Sequence, residues 1–362
     1  MATIRIIKDI EGFKELKPLW ESLYSANQRL SIFQSYEWNM NAWVYDHATR
    51  FPEDSLYIIY AVQEGRDRRE AILPLCISND GILHFIGQMM ADILDAITPE
   101  HKDCWNGFYA DIVHFLRAQR DVIDISFYKL DAESDVLNYF GVYWPNAKIE
   151  HQDSYSYFAA PQSDGVISEV FWHLTSSERS ELKRILAKAK GFSFEILSRM
   201  NGNPYPQKEL LSLRDWMVEN GLRSKYACPD VFIHCMKALY ETGLCELSCM
   251  YDIDGDLAYA AYRLVSHKQV IFWLVLYKNK LLTSVGDIKY MLAKSCEGSL
   301  LFNFGTGAYT YKLRTFRPFA RHLYSLKGHP LTYINFLQDE ISLAKKYVKA
   351  LLRYCNKIRS SK

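Results

Sequence analysis

No stretch of this sequence is apolar for long enough to cross a membrane. The longest strongly apolar run is Val270 to Tyr277, far short of the roughly 20 residues a spanning helix needs. The opening residues, MATIRIIKDIEGFKEL, lack the apolar centre of a signal peptide. These absences predict a soluble, cytoplasmic protein with no membrane span; a lipid-borne substrate reached from the cytoplasmic face stays compatible with them. An excess of one charge is also missing. Lys and Arg total 43 against 42 Asp and Glu, a net charge of +1. That excludes the broad basic footprint of non-specific nucleic-acid binding, and no DNA partner is expected. The 8 cysteines contain no Cys-x-x-Cys pair. Cys245 and Cys249 are closest together, and no His-x-x-x-His follows to complete a zinc set. Free thiols in a reducing compartment and no metal are therefore expected. His173 and His234 have no evident acid or nucleophile partner, which argues against a triad. Low-complexity sequence is absent.

What is present is globular. Hydrophobic residues make up 49% and charged residues 23% of 362, too long a chain for one typical core. The pattern repeats. In the first half, Leu56 to Val62, Ala71 to Ile77 and Ile82 to Ile86 read as strands, with Asn79-Asp80-Gly81 as a tight turn. A helix at about Asn106 to Arg120 and a strand at Val122 to Leu130 follow. In the second half, Cys245 to Tyr251, Leu257 to Val265 and Val270 to Tyr277 form the same meander, with Asp254-Gly255 as a hairpin turn. A loop at Lys278 to Gly286, a helix at about Asp287 to Cys296 and a strand at Leu300 to Phe304 complete it. The helical step makes the last two strands of each unit parallel. Helices are expected before each meander, at Ile10 to Ala26 and Tyr36 to Asp46, then at Glu178 to Lys190 and Lys208 to Glu219. Thr175-Ser-Ser-Glu178 has the form of a capping box. His151 to Asp164 is polar and reads as a junction. Phe336 to Tyr354 carries apolar residues at helical spacing and reads as a closing amphipathic helix. The predicted fold is α/β (α+β), two mixed sheets in tandem flanked by helices. The expected division is 1–155, 156–320 and a C-terminal segment 321–362.

One loop draws attention as a binding element. Ser284-Val285-Gly286 stands between the most apolar strand and a helix, where free backbone N–H groups and a glycine suit a pyrophosphate, or where the serine is simply a cap. Asp287 opposes a phosphate if it points inward and is harmless as a cap.

The strand, Ser-Val-Gly, helix, strand order, followed by Asn303-Phe304-Gly305-Thr306-Gly307 and Tyr311-Lys312, resembles the CelD/BcsL-type acyltransferases of the GNAT superfamily, relatives of the FemABX aminoacyltransferases. Phe33-Gln34-Ser35-Tyr36-Glu37-Trp38, Leu73-Pro74-Leu75, Phe85-Ile86-Gly87 and Asp92-Ile93-Leu94-Asp95 resemble further family segments. The likeness spans about Trp20 to Lys312. It departs at Val285, where the family has proline, and at Asn303, where it has aspartate. The resemblance implies tandem GNAT-like domains with a donor site in the second half. It also implies that the C-terminal segment packs back on the first. Ser284, Val285 and Gly286 would hold acyl-CoA or the phosphopantetheine of an acyl carrier protein. Lys312 would face a phosphate or oxyanion, Asp92 would take the acceptor's proton, and Tyr277 would protonate the leaving thiolate. Gln34, Trp38, Asp95 and Tyr311 would contact the acceptor, a small molecule or glycan of cell-surface polysaccharide or sugar-nucleotide biosynthesis. Transfer from aminoacyl-tRNA ranks below this, because Glu178 to Glu219 is too short for a tRNA-binding hairpin. A non-catalytic scaffold of a polysaccharide assembly system is the third alternative. The basic helix Arg179, Lys183, Arg184, Lys188, Lys190 reads as a solvated face or a docking surface for a macromolecular donor.

Overall fold

The computed structural model describes residues 1–65, 68–99, 105–224, 228–307 and 310–328. The helix expected at Phe336 to Tyr354 lies outside them. Fourteen strands are described: β1 (Thr3–Ile7), β2 (Ser55–Leu56), β3 (Ile58–Gln63), β4 (Arg69–Leu73), β5 (Leu75–Ile77), β6 (Ile82–Phe85), β7 (Asp124–Asp131), β8 (Lys148–Ala160), β9 (Ser193–Leu197), β10 (Cys245–Tyr251), β11 (Leu257–Ser266), β12 (Gln269–Tyr277), β13 (Leu300–Thr306) and β14 (Phe319–Lys327). Eleven of them make one sheet in the order β2-β5-β6-β7-β14-β8-β13-β12-β11-β10-β9, and β1-β3-β4 make a second.

The two halves repeat the same unit. β5-β6 and β10-β11-β12 are antiparallel, and the crossover helices Asn106–Arg117 and Leu281–Ser295 make β6 parallel to β7 and β12 parallel to β13. The chain is thus a tandem α/β fold, as the repeat predicts, and a GNAT-like one, as the resemblance implies, with the two expected sheets joined into one. The first meander is divided. Its first long strand breaks at Tyr57, and the next breaks at Pro74, whose ring cannot donate to a ladder. Each pair of fragments goes to different sheets.

Three readings are corrected. The polar stretch from His151 is no junction but most of the 13-residue β8, and the boundary expected at residue 155 falls inside it. Its first five residues are exposed, so they pair by backbone with β14 and carry no apolar alternation. The span Tyr36 to Asp46 is not one regular helix: Tyr36–Asn41 is α-helical and Ala42–His47 is a π-helical turn. The third correction, at Leu281, concerns the site below. A helix at Asp230–Glu241 was missed, although Ile233, Met236 and Leu239, all buried, recur at helical spacing. The capping box at Thr175 is present: Thr175 Oγ1 accepts from Glu178 N, and Glu178 Oε2 accepts from Thr175 N at 2.8 Å. The core follows the sheet, with Phe158, Phe272, Phe302 and Phe304 packed under the Leu281–Ser295 helix.

Candidate active site

Tyr259 and Arg263 stand four residues apart on β11, so their side chains share a face of the sheet apart from a bulge at Tyr262/Arg263. That face meets the Leu281–Ser295 helix. Arg263 is 2% exposed and buried with Asp287. Its Nη2 donates to Asp287 Oδ1 at 2.6 Å and to Tyr259 Oη at 2.6 Å, and its Nε donates to Ser248 Oγ at 3.0 Å. The guanidinium also lies 4.0 Å from the centre of the Phe272 ring. A buried charge without a partner is costly, and here each charge has its opposite. Burial, with the Asp287 charge, holds the Tyr259 hydroxyl far above its usual pKa.

This cluster forms the floor of a cavity of about 480 Å³ between β12 and the helix, lined among others by Tyr277, Lys280, Thr283, Asp287, Tyr311 and Lys312. Two polar residues stand in its wall. Thr283 is 4% exposed, and its Oγ1 has no hydrogen-bond partner. Lys312 is buried and its Nζ donates to Phe304 O. Burial lowers the Lys312 pKa, while the charges of Asp287 and Asp92 act against that shift.

The helix starts at Leu281, six residues before the expected start at Asp287. Ser284, Val285 and Gly286 therefore lie within its first turns and not in a loop. The N–H groups of Leu281, Leu282 and Thr283 are already used, donating to Asn279 Oδ1, Asn279 O and Lys280 O at 2.9, 3.0 and 3.2 Å. The expected backbone cradle is thus not formed. Val285 and Gly286 are buried. A Cβ on Gly286 would sit 2.4 Å from Cε1 of Tyr259, so the glycine admits that ring against the helix. Asp287 is neither cap nor phosphate obstacle but the partner of Arg263.

The remaining expected residues divide between two places. Lys312, Tyr277 and Tyr311 line the cavity just described. Gln34 and Asp95 line a second cavity of about 570 Å³, where residues of the first half face Lys268, Gln269 and Leu301 of the second. Gln34 itself is a buried cap: it accepts from Ser31 N at 3.0 Å, and its Nε2 donates to Ile93 O at 2.9 Å. Asp95 accepts from Ser134 Oγ at 2.8 Å and from Val136 N at 3.1 Å. Burial and the neighbouring Asp135 push its pKa up to about 7. Trp38 is fully buried and meets Trp273 edge-on at 5.9 Å, so it packs behind a wall of the smaller cavity and does not line a cleft. Asp92 accepts from Thr306 Oγ1 at 2.6 Å, which ties the first half to the end of β13. Gly305 holds φ +69°, and a Cβ there would meet Asp92 Oδ2 at 2.6 Å. Asn303 is fully buried; its Oδ1 accepts from Gly305 N at 2.8 Å, and its Nδ2 has no partner. It shapes the Gly305 turn. Sequence reasoning missed Arg263 and Thr283. A lone arginine inside the apolar strand Leu257–Ser266 was the available signal for the first.

No family model matches the sequence, and no curated protein matches it. Solved structures do resemble the fold. A conserved protein of unknown function from Bacteroides thetaiotaomicron superposes with TM-score 0.54 at 7% identity, covering 90% of this chain and 100% of that one. FemX superposes with TM-score 0.54 at 11% identity, covering 85% and 95%. The C-terminal DUF2156 domain of a protein described as a lysylphosphatidylglycerol synthetase, from Agrobacterium fabrum, gives TM-score 0.51 at 13% identity, covering 88% and 93%. At such identities the likeness concerns the fold, and the fold it joins is the tandem GNAT-like one built by the two repeated units.

Proposed function

We propose that this chain transfers an acyl group from a thioester donor, acyl-CoA or an acyl carrier protein, to an amine or hydroxyl. The observation that carries the reading is the 480 Å³ cavity, whose wall holds Thr283, Lys312 and the buried Arg263–Asp287 pair. A hydroxyl and a cation at one cavity suit a carbonyl oxygen that becomes negative in the transition state. The acceptor nitrogen or oxygen attacks the carbonyl carbon, forming the new bond, and the carbon–sulfur bond breaks. The acceptor's proton goes to Asp92, and the departing thiolate takes one from Tyr277 Oη. Ser284, Val285 and Gly286 serve the donor indirectly by seating the helix on Tyr259. The larger cavity, with Asp95 and Gln34, receives the acceptor. A sugar-nucleotide or surface-polysaccharide acceptor rests on the CelD/BcsL resemblance.

The fold likeness to FemX and to the synthetase domain supports a second reading, in which the transferred group is aminoacyl and the donor an aminoacyl ester of tRNA. Thermal-shift and turnover measurements with acetyl-CoA, longer acyl-CoAs, free CoA and charged tRNA decide between them. Lys312→Met is expected to lower kcat/KM about a hundredfold with the better donor, and Thr283→Val about tenfold, both folding normally. Neither binding nor turnover with any of these donors would overturn both readings.

A further inference from the structure

A group of metal-ligating side chains lies in the first half, away from the transferase cavities. It is assembled from four places in the chain. His47 ends the π-helical turn, Asp54 precedes β2, and Cys76 on β5 is paired in register with His84 on β6. His84 Nε2 is 3.0 Å from Asp54 Oδ2 and 3.8 Å from Cys76 Sγ. His47, Asp54 and Cys76 each offer a donor atom within 4.8 Å of the others'. The side chains are 3%, 9% and 18% exposed for His47, Asp54 and His84, and Cys76 is fully buried.

We infer that Asp54 Oδ2, Cys76 Sγ and His84 Nε2 bind a borderline-soft divalent cation, Zn2+ in class. The open fourth position would face a cavity of about 310 Å³ that Asp54 and His84 line with His47, Ser78 and Gln88, while Cys76 lies behind its wall.

Three observations support the assignment. First, the spacing fits. Tetrahedral zinc with bonds of roughly 2.0–2.3 Å places its donors about 3.3–3.6 Å apart; His84 Nε2 stands 3.0 Å from Asp54 Oδ2 and 3.8 Å from Cys76 Sγ, and the Asp54 and Cys76 donors lie within 4.8 Å of each other, so small side-chain shifts close the group onto an ion. Second, the donor set is unusual for packing alone. Two imidazoles face one carboxylate oxygen, with His84 Nε2 3.0 Å and His47 Nδ1 3.4 Å from Asp54 Oδ2, and the fully buried Cys76 thiol stands beside them. Imidazole, thiolate and carboxylate together are the ligands of a borderline-soft cation. Third, the surrounding shell has a defined orientation. Gly87 N donates to His47 Nε2 at 3.1 Å, so neutral His47 carries its proton on Nδ1, directed at the Asp54 carboxylate. That is the role of a positioning residue behind a ligand. The alternative, a Cys-His-Asp relay with Cys76 as nucleophile, fails on access, because Cys76 exposes no surface.

Burial disfavours the charged forms of the thiol and the two imidazoles. It pushes the Cys76 thiol up, with Asp54 adding to the shift, and it pulls His84 down and His47 down to about 3. Neutral imidazole is the ligating form. Binding replaces the thiol proton by the metal and releases it to solvent. The expectation of a metal-free chain rested on cysteine spacing, whereas this group contains one cysteine and is gathered by the fold.

The test is a Co2+ titration of the full-length protein after chelator treatment. The expected result is one equivalent bound with a thiolate-to-cobalt charge-transfer band and intense tetrahedral d–d bands, displaced by Zn2+, with a Tm that rises on metal addition. Cys76→Ser should abolish the charge-transfer band while Cys296→Ser, at the exposed cysteine, retains it. Asp54→Asn should weaken Co2+ binding at least about tenfold, and this arm stands if Cys76→Ser misfolds. Absence of a charge-transfer band at stoichiometric Co2+, or its persistence in folded Cys76→Ser, overturns the site.

Discussion

Gly286 illustrates how one residue type admits two readings until its neighbours are known. In sequence, a glycine between an apolar strand and a helix suggests a backbone that comes close to a ligand. In the structure its φ is helical, and the close neighbour is the Tyr259 ring, held in turn by Arg263 and Asp287. That ring cannot swing away without breaking the hydrogen bonds around a buried ion pair. Gly286→Ala is therefore expected to destabilise by about 1–3 kcal/mol, the range for overpacking a core, seen as a lower urea midpoint. Ser284→Ala, half-buried two residues earlier, should stay within about 0.5 kcal/mol of wild type. A Gly286→Ala protein with unchanged midpoint and lost donor binding would return the glycine to the donor site. That Lys312 and Tyr277 border one cavity was legible from their motif and strand end. Thr283 was not, because a threonine becomes informative only when its hydroxyl is known to be buried and alone.

At the scale of elements, local chemistry was read well where it is self-contained. The capping box at Thr175 needs only four residues, so sequence shows it completely. Thr175→Ala should cost the Ser176–Ala187 helix about 1 kcal/mol. Because Glu178 closes the other half of the box and also pairs with Arg317 at 2.5 Å, Thr175→Ala and Glu178→Ala should be non-additive in a double-mutant cycle followed by urea unfolding. Strict additivity would mean that the two hydrogen bonds do not support each other. The meanders were legible for a similar reason, since alternating apolar residues and the Asp-Gly turn at Asp254 act within a few positions. The start of the Leu281–Ser295 helix was not. Lys280 caps it without a side-chain bond, and Asn279 works from outside it, so no N-cap signature marks the place. β8 was hidden because its polar first half gains its order from β14, some 170 residues away in sequence. That pairing has no local trace.

Across the whole molecule, β14 is what makes one sheet of two halves. It pairs with β7 on one side and β8 on the other, and among the described residues β7 and β8 do not pair directly. Side chains add to this joint, with Trp273 Nε1 donating to Met90 O at 3.0 Å and Thr306 to Asp92. Trp273 also lines the 480 Å³ cavity, so the seam reaches the wall of the proposed site. The seam makes a prediction about cooperativity. Leu323, in the middle of β14, is fully buried, and its backbone is in register with Asp131 and Asp153. Leu323→Ala leaves the ladder intact and removes packing, for about 2–5 kcal/mol; it should lower Tm while unfolding remains one calorimetric transition. Leu323→Pro also removes a donor from a central strand, and it should separate unfolding into two transitions, one for each half. A single transition at an unshifted Tm in Leu323→Pro would mean that side-chain contacts alone hold the halves together. The 480 Å³ cavity would then depend on the Trp273 contact and not on the continuity of the sheet.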